Sequence, residues 1–114
     1  MLAIATLAVI PNAASSSDVV LERGSCNISG KETDLGASYV TSVKARNTSC
    51  GKALKLVKAY HGCRKDNGGA NGHCDKVDGY KCDEKRESAP AQYYAKAKCE
   101  KGGKKVIQTY QQNT

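Results

Sequence analysis

The sequence predicts an α+β domain in which one amphipathic helix packs on a small antiparallel sheet and disulfide bonds staple the elements together. Three observations lead to this prediction. The chain has 114 residues, a length typical of one domain. Its central segment repeats apolar residues at helical spacing, and segments on both sides alternate at strand spacing. It has six cysteines but no Trp or Phe, so disulfides would compensate for a thin apolar core.

Residues 1–16 predict a signal peptide. Residues 2–10 are apolar but too few to cross a bilayer as a helix, so no membrane span is expected. Pro11 ends the run, and small residues suited to a signal peptidase follow it. An even number of cysteines behind such a leader indicates an oxidising compartment. We therefore expect a secreted, extracellular protein whose single domain comprises residues 17–114.

The first elements follow from local patterns. Residues 17–36 are polar and glycine-rich, which predicts an extended entry anchored at Cys26. Residues 38–46 alternate as in a half-buried strand. The inward face of this strand is expected to carry Tyr39, Thr41, Val43 and Ala45.

The strongest predicted element is a helix that begins after Thr48 or Ser49, either of which can cap its first turn. Its apolar stripe at i, i+3, i+4 and i+7 spacing consists of Cys50, Ala53, Leu54, Val57 and Tyr60. Gly62 suits a left-handed residue just past the helix end. The sequence therefore predicts a short helix that needs a sheet to cover its stripe.

The second half of the chain predicts the rest of the sheet. Residues 64–79 read as a surface loop, residues 79–82 as a short strand and residues 83–90 as a charged connection. In the next strand, Tyr93, Ala95, Ala97 and Cys99 are expected to face inward. Gly102 and Gly103 then make a turn into the last strand, at residues 105–110.

The cysteines predict three disulfides, although sequence alone does not fix their pairing. Our preferred arrangement joins Cys63 to Cys74 across the polar loop. The other four would form two core bridges: Cys26, Cys50, Cys82 and Cys99. The histidines His61 and His73 lie beside cysteines, but without the gaps by which paired zinc ligands converge. We therefore expect no metal and no cofactor.

No motif for a nucleophile, a phosphate-binding loop or a dinucleotide site is present. We therefore assign no catalytic residues and expect no enzymatic activity. One enzymatic alternative is a small basic secreted ribonuclease that would use His61 and His73 as general acid and base. We expect both histidines to be exposed, one at the helix end and one in the loop, which is also what a structural role predicts.

The net charge of +7 indicates contact with a polyanion or simply a soluble surface. The lysines that could contact a polyanion are Lys52, Lys55, Lys58, Lys96, Lys98, Lys104 and Lys105. Arginine is scarce and only Tyr94 stands among the lysines of the strand, which argues against nucleic acid. The expected partner is thus an unidentified protein or an anionic polymer, bound by a monomer.

Two parts of the chain are similar to a group of small exported domains common in actinobacteria. The similar features are a strand that leads into residues 47–50, the helix with Ala53, Val57 and Tyr60, and the Cys-x-x-Gly-Gly-x-x-Val pattern at residues 99–106. This group is not associated with an activity, so the resemblance implies export and fold and no catalysis. The loop between Cys63 and Cys74 is an addition to the pattern.

The sequence therefore predicts a secreted, disulfide-stabilised, non-enzymatic binding module of unknown ligand. A secreted protease inhibitor is the leading alternative, with the loop between Arg64 and His73 as its candidate reactive segment. Such a loop must be rigid in its bound shape, whereas its glycines favour flexibility. The ribonuclease is the third hypothesis.

Overall fold

The computed structural model describes residues 24–114, so the predicted signal peptide at 1–16 lies outside the described residues. The fold is α+β, as predicted: one helix packs on a five-stranded antiparallel sheet. The strands are β1 (Tyr39–Arg46), β2 (Lys76–Val77), β3 (Tyr80–Ala89), β4 (Gln92–Lys101) and β5 (Lys104–Asn113). The helix α1 spans Cys50–Asp66, and a short 3₁₀ turn follows at Gly69–Asn71. The strand order is β1-β5-β4-β3-β2.

The helix is longer than predicted, and its buried face is rotated. Of the two predicted N-cap residues, Thr48 and Ser49, the structure has Ser49 as the N-cap. Its side chain accepts a hydrogen bond from the Lys52 amide. The helix continues past Gly62 and ends at an Asn67 cap. Cys50 is exposed and Leu54 only half-buried. The buried stripe comprises Ala53, Leu56, Val57, Tyr60, His61 and Arg64. The apolar pattern missed its last two members because both are polar.

Strand β1 contains a bulge that the alternation did not predict. The pairing with β5 shifts between Val40 and Ser42, which turns Val40 and Val43 inward, both almost fully buried. Tyr39 and Thr41 are consequently exposed, so the predicted inward positions of these two side chains are wrong. A one-residue bulge exchanges the faces of a strand upstream of it.

Strand β3 is the largest difference from the expected secondary structure. The predicted charged connection at residues 83–90 is mostly strand, since β3 continues to Ala89 and turns at Pro90 and Ala91. The inward positions of β4 and the turn at Gly102 and Gly103 are confirmed. Half of the predicted loop between Arg64 and Gly79 is regular secondary structure, since it includes the helix end, the 3₁₀ turn and β2.

All six cysteines form disulfides in the preferred arrangement, with Cys63 bonded to Cys74. Cys26–Cys50 ties the entry segment to the helix start. Cys82–Cys99 joins directly opposite residues of β3 and β4, whose Cα atoms are 4.0 Å apart. Two disulfides thus anchor the two ends of the helix and the third links two strands, around a core of aliphatic side chains, cysteines and tyrosines.

Candidate binding surface

The two faces of the sheet have opposite chemistry. Inward side chains of β4 and β5 are buried beneath the helix, and the outward side chains of β1, β3, β4 and β5 are all exposed or half-buried. No element within residues 24–114 packs over these outward positions, which we call the outer face. The outer face therefore presents four neighbouring strands to solvent.

Basic residues are paired directly with one another on the outer face. Lys85 of β3 is the cross-strand partner of Lys96 of β4, and both are exposed. Arg46 of β1 is likewise opposite Lys105 of β5. Like charges directly opposite each other destabilise a sheet. Lys105 is relieved by Glu100, 3.2 Å from its Nζ, but no carboxylate of residues 24–114 lies within 4.0 Å of Lys85 or Lys96.

Two shallow depressions meet at this lysine pair. One, of about 330 Å³, extends from Lys85 and Lys96 toward Tyr94 and Thr109 and also contacts Glu87. The other, of about 320 Å³, extends from the same two lysines toward Lys98, Ile107 and the Arg46–Lys105 pair and also contacts Asp83. The lysine pair is therefore the midpoint of a track that crosses the strands.

One end of the track is rich in hydroxyl and amide groups. Tyr39 and Tyr94 are each the cross-strand partner of Gln111. Among residues 24–114 these two tyrosines are the large hydrophobic residues that are exposed, with exposed fractions of 43% and 46%. Gln92 donates to the Tyr94 hydroxyl at 2.8 Å and accepts from Gln111 at 2.7 Å. These hydrogen bonds hold the ring of Tyr94 beside the lysine pair.

Three hydroxyl groups lie between this end and the lysines. The hydroxyl of Thr109 is 2.6 Å from those of both Thr41 and Ser42, and Thr109 is the cross-strand partner of Lys96. The bulge in β1 places Thr41 and Ser42 side by side. The track therefore combines cationic groups, hydroxyls and an aromatic ring.

Beneath the sheet, the structure contradicts the predicted exposure of His61. His61 is fully buried, whereas His73 is exposed, so the two histidines are not brought together. His61 Nε2 is 2.7 Å from Gln108 Oε1, and its Nδ1 accepts from Arg64 Nε at 3.0 Å. These partners place the ring proton on Nε2. Burial, reinforced by the Arg64 charge, lowers the pKa of His61 to about 4.

Arg64 itself is fully buried and holds the neighbouring loop. It donates to the Ala70 carbonyl and to Tyr93 Oη, at 3.0 and 2.9 Å, and its guanidinium lies 4.7 Å from the Tyr110 ring centre. Arg86 donates to the next two carbonyls, those of Asn71 and Gly72. The loop expected to be flexible is thus fixed by two arginines and by the Cys63–Cys74 disulfide, as a compact turn rather than an extended segment.

A carboxylate completes this buried polar cluster. Glu84 accepts hydrogen bonds from Tyr60 and Tyr110, at 2.5 and 2.6 Å, and pairs with Arg86. Burial alone would raise the pKa of Glu84, but the hydrogen bonds from Tyr110, Tyr60 and Arg86 outweigh it and lower that pKa. Burial and the same carboxylate raise the pKa of both tyrosines. The inward charges of β3 are therefore satisfied, which explains how so polar a segment forms a strand.

The lysines predicted to contact a polyanion lie on separate faces. Lys96, Lys98 and Lys105 are outward residues of the sheet, whereas Lys104 is exposed beside the terminal hairpin turn. Lys52, Lys55 and Lys58 are exposed on the helix, which covers the opposite side of the sheet. Sequence reasoning did not include Lys85 and Arg46 in the set. Lys85 lies in the segment predicted as a charged connection, in which both phases carry charges, so alternation gave no signal for it.

Comparison with family models, curated proteins and solved structures found no match to this chain. The resemblance to exported actinobacterial domains stays a prediction. Within residues 24–114 no group of three or more His, Cys, Asp or Glu side chains is placed to hold a metal ion. No helix in this part of the chain is long and apolar enough to cross a membrane.

Proposed function

We propose that the protein is a secreted module that binds an anionic polysaccharide on its outer face. The observation that carries this proposal is the direct pairing of Lys85 with Lys96 at the midpoint of the track, with no carboxylate of residues 24–114 within 4.0 Å of either ammonium group. A sulfate or carboxylate placed between the two ammonium groups would remove their repulsion and form two charge-assisted hydrogen bonds. The exposed pair is thus costly in the free protein and favourable in a complex.

The neighbouring groups favour a sugar polymer over a nucleic acid. Tyr94 offers an aromatic face for a sugar ring, and the hydroxyls of Thr41 and Thr109 lie beside it for sugar hydroxyls. Protein surfaces that bind nucleic acid usually carry several arginines and stacking rings. Among residues 24–114, the outer face has a single arginine, Arg46. Three disulfides support the extracellular setting in which such a polymer is met.

The alternatives gain no support from the geometry. A ribonuclease that uses His61 would need that side chain to reach RNA, but its ring lies beneath the sheet. An inhibitory loop would have to be extended, whereas Gly69–Asn71 is a 3₁₀ turn whose carbonyls face two arginines. The non-enzymatic binding module is therefore the function that we put forward.

Heparin, a sulfated and carboxylated polysaccharide, is a suitable probe. We expect the wild-type protein to bind immobilised heparin with an affinity that falls as salt rises. The variant K85Q/K96Q should bind about tenfold more weakly, which corresponds to about 1.4 kcal/mol. The matched control K31Q/K101Q removes two exposed lysines away from the outer face, one in the entry segment and one beside Tyr80 at the terminal hairpin, and should bind within about threefold of wild type.

Two results would contradict the proposal. Equal losses in K85Q/K96Q and K31Q/K101Q would mean that net charge, not the outer face, determines binding. Tighter binding of a single-stranded oligothymidine than of heparin at equal ionic strength would replace the polysaccharide with a nucleic acid.

A further inference from the structure

A second basic surface lies on the solvent side of the helix. It consists of the exposed residues Lys52, Lys55, Lys58 and Lys65. The helix carries no acidic residue before Asp66, its last residue. The lysines lie on the side of the helix away from the buried stripe of Ala53, Val57 and Arg64. We call this surface the helix face.

The helix face, like the lysine pair on the sheet, places like charges beside each other in the free protein. Carboxylates are preferred near a helix N-terminus and cations near its C-terminus, yet the first turn contains no acid and Lys52 stands within it. Like charges three residues apart on a helix also repel each other. Lys52, Lys55 and Lys58 follow one another at that spacing without an intervening carboxylate. An anionic chain along the helix would relieve both costs.

The two basic surfaces lie on opposite sides of the molecule. The buried stripe contacts the inward side of the sheet, as shown by the bonds from His61 to Gln108 and from Arg64 to Gln112. A helix with its side chains is about 10–12 Å across, and side chains project from both sides of a sheet, so the two charged surfaces are separated by roughly 20 Å. This exceeds the Debye length of about 8 Å at physiological ionic strength. Two bound anionic chains would therefore repel each other only weakly.

We infer that the protein is bivalent and bridges two anionic polysaccharide chains, one on the outer face and one on the helix face. This inference rests on the proposed function, since it assigns the same ligand class to both surfaces. The disulfide between Cys26 and Cys50 fixes the helix start to the entry segment, and that between Cys63 and Cys74 fixes its end. The two surfaces are thus held rigidly, so one monomer suffices as a cross-linker.

The test is a sandwich assay with short oligosaccharides. Biotinylated heparin hexasaccharide on a streptavidin surface captures the protein, and a fluorescent heparin hexasaccharide is then added from solution. We expect about one fluorescent oligosaccharide per captured protein. The variant K55Q/K58Q should be captured within about twofold of wild type but recruit at least fivefold less fluorescence. The control K31Q/K101Q, which removes the same charge, should recruit normally.

Each contrary outcome has a distinct meaning. Capture of the wild-type protein without recruitment overturns bivalency and leaves the proposed function standing, whereas absent capture overturns the proposed function and bivalency together. Normal recruitment by K55Q/K58Q overturns the assignment of the second surface to the helix. Native mass spectrometry that finds two protein copies in every ternary complex would show that dimerisation, not a second face, produces the bridge.

Discussion

Acidification should destabilise the protein through His61. In the folded state Nδ1 of the ring accepts from Arg64 Nε, so a proton on Nδ1 would set two donors against each other beside a buried guanidinium. The unfolded chain has no such conflict and protonates with a pKa near 6.5. Because the folded pKa is the lower one, the unfolded state binds more protons on acidification. The stability contribution is complete above pH 6.5 and is lost as the pH falls toward 4.

The size of this effect follows from the pKa change. The pKa of His61 falls from 6.5 to about 4, and each pKa unit corresponds to about 1.36 kcal/mol. The free energy of unfolding should therefore decrease by roughly 3 kcal/mol between pH 7 and pH 4. Glu84, whose folded pKa is also lowered, adds to the loss at the acidic end of this range. Since small domains are stable by only about 5–15 kcal/mol, the decrease is a large fraction of the total.

Urea denaturation at a series of pH values measures the effect, and the second histidine provides the control. H61Q retains an acceptor for Arg64 and a donor for Gln108 but does not titrate, so its stability should be nearly constant between pH 7 and pH 5. H73Q changes an exposed histidine and should follow the wild-type curve. A wild-type curve that is flat from pH 7 to pH 5, or an H61Q curve as steep as wild type, would refute the argument.

Three further substitutions test the packing, each read as the free energy of unfolding in urea. G36A places a Cβ 2.7 Å from the His61 Cβ at a φ of +106° and should lower the free energy of unfolding by at least about 2 kcal/mol. The control G30A, also at positive φ but in open space, should lower it by about 1 kcal/mol. Equal decreases in the two variants would contradict the close contact with His61. E84Q should lower the free energy of unfolding by about 3 kcal/mol because it leaves the Arg86 charge without its carboxylate partner. The exposed control E87Q should stay within about 0.5 kcal/mol of wild type. An E84Q variant as stable as wild type would mean that the buried carboxylate is dispensable. The Cys63–Cys74 disulfide closes a loop with a sequence separation of 11, so its removal in C63A/C74A should lower the free energy of unfolding by about 3 kcal/mol. An unchanged stability would mean that the two arginines hold the loop without the disulfide.

The fold class, the order of the strands in the second half of the chain and the Cys63–Cys74 disulfide could be predicted because they follow from periodicity and cysteine placement, whereas the pairing of the other four cysteines stayed open. Ala95, Ala97 and Cys99 alternate with lysines and are buried as that pattern requires. The bulge in β1 could not be predicted, because both phases of that strand carry an acceptable mixture of apolar and polar residues. Its consequence, the exposure of Tyr39, was therefore missed.

The candidate site was only half predicted. Lys96 and Lys98 stand out beside an alternating strand, but Lys85 belongs to a segment in which both phases are charged. Glu84 and Arg86 can be buried because they pair with each other and because Glu84 accepts from tyrosine hydroxyls far away in sequence. No local sequence pattern therefore predicts this strand. The same holds for His61 and Arg64, whose partners lie on β4, β5 and the 3₁₀ turn. Polar residues become core residues here through tertiary hydrogen bonds.

Lysine footprinting tests the central claim most directly. The protein is acetylated briefly with and without saturating heparin hexasaccharide, and each lysine is quantified by mass spectrometry. The account predicts that Lys85 and Lys96 react at least about fivefold more slowly in the complex, while Lys31 and Lys101 keep their rates. Equal protection of all four lysines, or free reaction of Lys85 and Lys96 in the presence of bound oligosaccharide, would contradict it.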